Sequence, residues 1–279
     1  MDETRWFADI GAPGLQSPNR DSDRKGSLPA LLPWAIGGAW TIVILTWATG
    51  RGGALGHDHL IEHGPALWVA LGLFLMGWQV MVVAMMLPSS LSAFQTFGAL
   101  TFDRRDRRDR RGLGAAFLAG YIAVWTGFGS LAFLGDIGFH RFVDRSPWLA
   151  GRPWLIGGSV LLVAGVFELS PLPGRCGKRT DRMSARLGGD RRLVNSDAMR
   201  LGADHGLQRL RRCWPLMVLS FAVGMASLGW MVVLTLLMVV QEREGPRRVA
   251  LLMGIGLLAA AAIVIAHPGW MPSLFPSAA

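Results

Sequence analysis

Residues 214–240 contain no charged side chain, an unbroken run of 27 positions dominated by apolar types. About 20 such residues are enough for a helix to cross the hydrocarbon core of a bilayer. A core helix of a water-soluble domain keeps a polar stripe, which this run lacks. Five more runs share its character, at about 31–49, 66–88, 113–134, 154–172 and 249–266. Inside lipid every backbone amide must bond within its own segment, so repeated runs of this length are read as helices. The expected fold class is all-α: a polytopic integral membrane bundle of about six transmembrane helices, occupying residues 31–268. A polar tail, 1–30, reads as disordered, and a short uncharged tail, 269–279, follows the bundle.

The charges lie between the runs and orient them. The formal charge is +9, and 26 of the 28 basic residues are arginine. With the N-terminus in the cytoplasm, the inner segments hold 4, 6 and 11 Lys plus Arg and the outer loops hold 1, 3 and 3. A bias in that direction satisfies the positive-inside rule, so both termini are expected in the cytoplasm of a bacterial cell, with the bundle in its inner membrane. The lipid bilayer is then the partner of the basic segments, and no nucleic acid is expected, because no folded module carries them. Residues 89–102 are expected as a short interfacial helix after Pro88. Asp136, His140 and Asp144 are placed in a loop, and 173–212 is read as a polar cytoplasmic loop with at most one short helix. On the third run, Ala119, Ala123 and Gly127, and also Ala116 and Gly120, recur at the four-residue spacing that lets helices approach closely.

With this orientation several unusual side chains fall at one depth, near the cytoplasmic ends of the second, fourth and fifth runs. These are Met85 and Met86, Glu168 with Cys176 just beyond it, and Cys213 with Met217 one turn further in. Thiolate and thioether donors suit a soft metal such as Cu(I). Cys213 is expected at a helix N-terminus beside Arg211 and Arg212, both of which lower a thiol pKa. Cysteine is also a small hydrophobe at home in an apolar helix, so composition alone leaves both roles open. Glu168 is a carboxyl in an apolar run, a costly placement that marks either function or pairing with an arginine such as Arg175. Gln79, mid-run, is expected to bond to a neighbouring helix. Methionines 76, 81, 225, 231 and 238 fit ordinary packing or a metal path.

The loop after the first run holds His57, Asp58, His59 and His63. The spacing from His59 to His63, with Glu62, matches H-x-x-E-H, in which two histidines one helical turn apart can ligate a metal. A loop of this length offers no protease cleft, so the reading is a weak outer-side metal site or solvated side chains. No phosphate-binding loop, nucleophile elbow or dinucleotide fingerprint occurs, and nothing in the sequence assigns an enzymatic reaction.

AMMLPS at 84–89, LSPLPGRC at 169–176, CWPLM at 213–217 and GMASLGWM at 224–231 stand in one order. Together they resemble the bacterial predicted metal-binding integral membrane proteins, a domain of unknown function linked to copper handling, over about residues 65–245. The resemblance implies a polytopic membrane protein with copper as its cargo or cofactor. The chain departs from the pattern in four places. Pro173 stands where a Lys is usual, no second cysteine follows Cys176, residues 208–212 hold no cysteine ahead of Cys213, and Ala226 replaces an Asn. Two thiols allow a two-coordinate Cu(I) site and exclude a four-thiolate zinc site within one chain.

The leading expectation is therefore a protein that binds or delivers copper, with Cys176, Cys213, Met217, Met85 and Met86 as ligands and a metal-accepting protein as its partner. Glu168 would tune charge or accept a proton. Its rival is a non-catalytic helical subunit or assembly factor of a larger membrane complex. A proton-coupled transporter using Glu168 and Gln79 is a third reading, weakened by the lack of a visible internal repeat.

Overall fold

The computed structural model of the chain describes residues 28–50, 66–102, 107–170, 194–222, 228–243 and 246–267. Among these, all regular structure is helical. The helices are α1 (Leu28–Ala48), α2 (Leu67–Phe102), α3 (Arg107–Asp144), α4 (Pro147–Ala150), α5 (Pro153–Leu169), α6 (Asn195–Ala222), α7 (Leu228–Arg243) and α8 (Pro246–Ala266). Four are long and apolar enough to cross a membrane: α1, α2, α3 and α8. The expected fourth and fifth runs contain two shorter apolar helices, Trp154–Leu169 and Leu228–Val240. Only 11% of the apolar window of α1 is buried, and Trp34, Leu45 and Trp47 face outward. Apolar surface of that extent suits lipid contact and is unfavourable in water.

The structure corrects three segment assignments. Residues 89–102 do not form a separate interfacial helix, because α2 runs on through Pro88. Proline at 88 has no N–H for the carbonyl of Ala84, four residues back. The indole Nε1 of Trp40 on α1 donates to that carbonyl at 3.1 Å. Beyond the proline, Ser89, Ser90, Ala93, Phe94, Phe97 and Thr101 are buried along one face. Asp136, His140 and Asp144 lie on the last turns of α3 and not in a loop, and His140 Nδ1 stands 3.5 Å from an Asp136 carboxylate oxygen. The polar segment ahead of Cys213 is the first two-thirds of α6, a 28-residue helix and not a short one. Its buried stripe is Ala198, Leu201, Gly202, Gly206, Arg209 and Cys213. That spacing is helical, but small residues supply most of it, so hydropathy does not reveal it.

Those small residues explain the close pairing of α6 on α3, the tightest among the described helices. A Cβ at Gly120 would lie 2.0 Å from the Met199 carbonyl oxygen, and one at Gly202 would lie 1.9 Å from that of Phe117. Gly206 meets Val124 and the Tyr121 carbonyl. Asn195 lies beside Gly112, Gly202 beside Phe117 and Gly206 beside Tyr121, so the two helices run parallel with their N-termini at one end. Of the two small-residue rows on α3, the one through Gly120 forms this seam, while Gly127 has nothing near it. A second seam joins α5 and α8 in antiparallel fashion, Gly158 against Ile265 and Gly165 against Gly254 and Leu258. Between α2 and α3 the core is aromatic: Phe74, Trp78, Phe117, Tyr121, Trp125 and Phe133 are fully buried, with Trp78 Nε1 donating to the Trp125 carbonyl at 2.9 Å.

Candidate metal site

On α6, His205, Arg209, Cys213 and Met217 follow one another at four-residue intervals, so they form a single slowly drifting stripe. The α3 seam turns the stripe inward, and α2 meets it on either side of Pro88, at Met86 and Ser89. The Cys213 sulfur lies 3.9 Å from the Met86 thioether sulfur, both fully enclosed. Met85, next to Met86 on α2, and Met217, one turn beyond Cys213 on α6, are completely buried in the common core. The thiol donates to the Arg209 carbonyl at 2.9 Å, the local bond a helical cysteine makes one turn back. From the third side, α5 brings Glu168, 2% exposed, and its neighbour Phe167 packs edge-on against Trp214 at 5.5 Å.

The helix bounds overturn the expected electrostatics of Cys213. It lies in the interior of α6, eighteen residues past Asn195, and a helix dipole acts only within the first turn. The buried sulfur donates to the Arg209 carbonyl as a thiol, and a metal ion must displace that proton.

Polar groups complete the surroundings. The Arg209 guanidinium is buried and donates through Nη2 to Ser89 Oγ, which itself donates to the Met86 carbonyl at 2.9 Å. Ser90 Oγ and the Tyr121 hydroxyl stand 3.2 Å apart. His205 stacks on Tyr121 at 5.7 Å and on Phe117 at 6.2 Å, with its Nε2 shut away from solvent and from any hydrogen-bond partner. Burial and the neighbouring Arg209 and Arg212 lower its pKa to about 4, so the ring is neutral near pH 7. None of Arg209, Ser89, Ser90, Tyr121 or His205 was singled out by the sequence. The signals were the four-residue spacing from His205 to Met217 and the uniqueness of Tyr121 in the chain.

The other sequence-derived candidates separate from this centre or lie outside the described residues. Gln79 donates to Thr126 Oγ1 on α3 at 2.7 Å, a helix-to-helix bond, two turns along α2 from Met86. Met81, Met231 and Met238 are buried in the common core, whereas Met76 faces outward. Cys176, Met225, His57, His59 and His63 fall outside the described residues. Among the described residues no three His, Cys, Asp or Glu side chains gather as a metal site. The donors that do meet are one thiol and one thioether, Cys213 and Met86, a pair that fits a soft metal and not a hard one. A metal at about 2.3 Å from both sulfurs, the usual thiolate–metal length, would see them at roughly 115°, closer to trigonal than linear.

A family model, PpoB2, described as a copper chaperone, matches residues 75–265. The chain belongs to this copper chaperone family. The matched span runs from α2 to α8 and includes every residue of the sulfur-lined centre. A comparison with curated proteins and one with solved structures found no match. The family's description agrees with the soft donor set, and copper handling is what the two have in common.

Proposed function

We propose that this copper chaperone is a six-span inner-membrane protein that takes Cu(I) as cargo between α2, α5 and α6 and passes it to a metal-accepting protein. The observation that carries the reading is the 3.9 Å approach of Cys213 Sγ to Met86 Sδ in an enclosed, mostly apolar setting. Cu(I) replaces the thiol proton, so the sulfur–hydrogen bond breaks as the sulfur–copper bond forms, and the buried carboxyl of Glu168, close enough to act on the thiol, would accept that proton. Thioethers bind Cu(I) without proton loss, so Met86, Met85 and Met217 add affinity while leaving the charge of the centre unchanged. The roughly trigonal angle between Cys213 and Met86 leaves room for a third ligand. Cys176, or a thiolate of the acceptor, takes that place, and exchange through such a shared state lets copper move without being released as a free ion. Both termini are assigned to the cytoplasm, which puts the Asn195 end of α6 and the Gly112 end of α3 on that side and the Cys213–Met86 pair deeper in the bundle.

The test is the Cu(I) content of the detergent-purified protein after anaerobic loading, compared among wild type, Cys213→Ser, Met86→Leu and the Cys176→Ser/Cys213→Ser double variant. Wild type is expected to hold Cu(I), Met86→Leu to bind it at least tenfold more weakly, and Cys213→Ser to lose it. Uptake by no form above background sinks the metal reading and leaves a helical subunit of a larger complex as the better account.

A further inference from the structure

Among the described residues Arg209 is the one buried cationic side chain, and it touches both sulfur-bearing helices. Its carbonyl accepts the Cys213 thiol, and its guanidinium holds Ser89, whose hydroxyl is bonded to the Met86 carbonyl. A single residue thus links the α6 donor to the α2 donor through a chain of hydrogen bonds. A buried guanidinium is a costly way to tie two helices together, since a neutral amide would span a similar gap without desolvating a charge. Its charge therefore has consequences for whatever the sulfurs hold.

The charged and titratable groups around Cys213 can be taken element by element. Arg209 and Arg212 come from α6 and Glu168 from α5, and Arg209 acts on the thiol more strongly than Glu168 does. His205 on α6 is neutral, Tyr121 on α3 is a neutral phenol, and the α2 residues that meet the site, Met85, Met86, Ser89 and Ser90, are uncharged. Among the described residues acting on Cys213, two guanidiniums outnumber one carboxyl, so the surroundings are net positive whether or not Glu168 holds a proton. A thiolate carrying a singly charged ion is neutral and adds nothing to that net charge. A thiolate carrying a doubly charged ion keeps one positive charge and places it against the existing one, in an interior where screening is weak. Both ions displace the same thiol proton, so the difference between them does not depend on the pH.

Building on the copper-binding reading above, we propose that Arg209 is the specificity-determining residue of the Cys213–Met86 pair. It holds the two sulfurs together, and its charge makes the pair accept singly charged soft cations and refuse doubly charged ones. Softness alone does not make this distinction, because many divalent ions also favour sulfur. The arrangement keeps the chaperone clear of thiol-seeking divalent metals.

The experiment uses Ag(I) and Cd(II), both soft and sulfur-seeking but different in charge, with the full chain in detergent micelles and bound metal measured by equilibrium dialysis. Wild type is expected to bind Ag(I) in a Cys213-dependent manner and Cd(II) at least tenfold more weakly. Arg209→Gln is expected to raise Cd(II) affinity relative to Ag(I) by about tenfold or more, the order expected for removing one charge at close range. Arg209→Lys keeps the charge but not the fork that reaches Ser89, so it should weaken both ions and leave their ratio unchanged. A purely structural role for Arg209 would not move that ratio in either variant. Arg209→Met removes the same charge with an apolar chain of similar length and should shift the ratio in the same direction, which gives a second arm if Arg209→Gln does not fold. Wild type binding Cd(II) as tightly as Ag(I) overturns the proposal, as does an unchanged ratio in Arg209→Gln or, where that variant fails to fold, in Arg209→Met. If wild type binds no Ag(I) through Cys213, the copper-binding reading falls together with this one, whereas the other outcomes refute Arg209's role alone.

Discussion

The seam between α3 and α6 sets the position of Cys213, and Gly202→Ala tests it directly. The added Cβ would sit 1.9 Å from the Phe117 carbonyl oxygen and 2.7 Å from its carbon. Ordinary contact begins near 3.4 Å. The two backbones must therefore part by roughly 1.5 Å, and neither partner is a flexible side chain that can swing away. Overpacking of this kind costs about 1–3 kcal/mol. Alanine returns up to about 1 kcal/mol of helix propensity relative to glycine, so the net expectation is a loss of about 1–2 kcal/mol. Gly127→Ala, on the same α3 helix with nothing within 4 Å, gains the propensity term without the clash and should be neutral or slightly stabilised. Thermal unfolding in detergent, followed by helical circular dichroism, compares the two variants. Because α6 carries both Arg209 and Cys213, Gly202→Ala should also weaken Ag(I) binding at temperatures where the variant is still folded. A midpoint for Gly202→Ala at or above wild type, or a loss in Gly127→Ala of equal size, would refute the assignment of the seam.

Trp40→Phe removes the donor to the Ala84 carbonyl that Pro88 frees, and should cost about 1 kcal/mol in the same assay. In a Pro88→Ala background, where residue 88 regains an N–H for that carbonyl, the cost of Trp40→Phe should shrink towards zero, and equal costs in both backgrounds would contradict the account. His205 gives the pH dependence. Its pKa is about 4 when folded against an ordinary 6.5, so below pH 6.5 the unfolded chain takes up a proton that the folded chain refuses. Stability is accordingly full above pH 6.5, falls between there and about pH 4 by at most about 3 kcal/mol, and is flat with respect to this group below that. His205→Phe keeps the stacking on Tyr121 and Phe117 and should flatten that part of the melting-point profile; an unchanged profile would exclude His205 as its source.

How far the sequence determines this site depends on what kind of contact is involved. Apolar length is a property of the chain alone, so α1, α2, α3 and α8 could be located from composition. The expectation that Cys213 shares a depth with Met85, Met86 and Glu168 followed from the direction of each run and the arginine count. Their approach to one another did not, because it depends on which helices are neighbours. Two small-residue rows on α3 fit the same spacing, yet only the row through Gly120 meets α6. Four-residue spacing describes a surface that permits close approach and carries no information about what approaches it. The differences share a cause: a change in hydropathy does not mark the end of a helix. The apolar run begins at Trp214, but the helix begins at Asn195. The apolar run pauses at Pro88, but α2 continues to Phe102, because a tryptophan from another helix supplies the missing bond. Arg209 was hidden for the same reason, one of three arginines in a segment that reads as solvated. A seam built from Gly202 and Gly206 buries a helix face without adding hydrophobic surface, so nothing in the hydropathy distinguishes the arginine that turns inward from the two that flank Cys213. Helical register does distinguish them: counting back in fours from Met217 through Cys213 reaches Arg209 and His205, and leaves Arg211 and Arg212 on other faces.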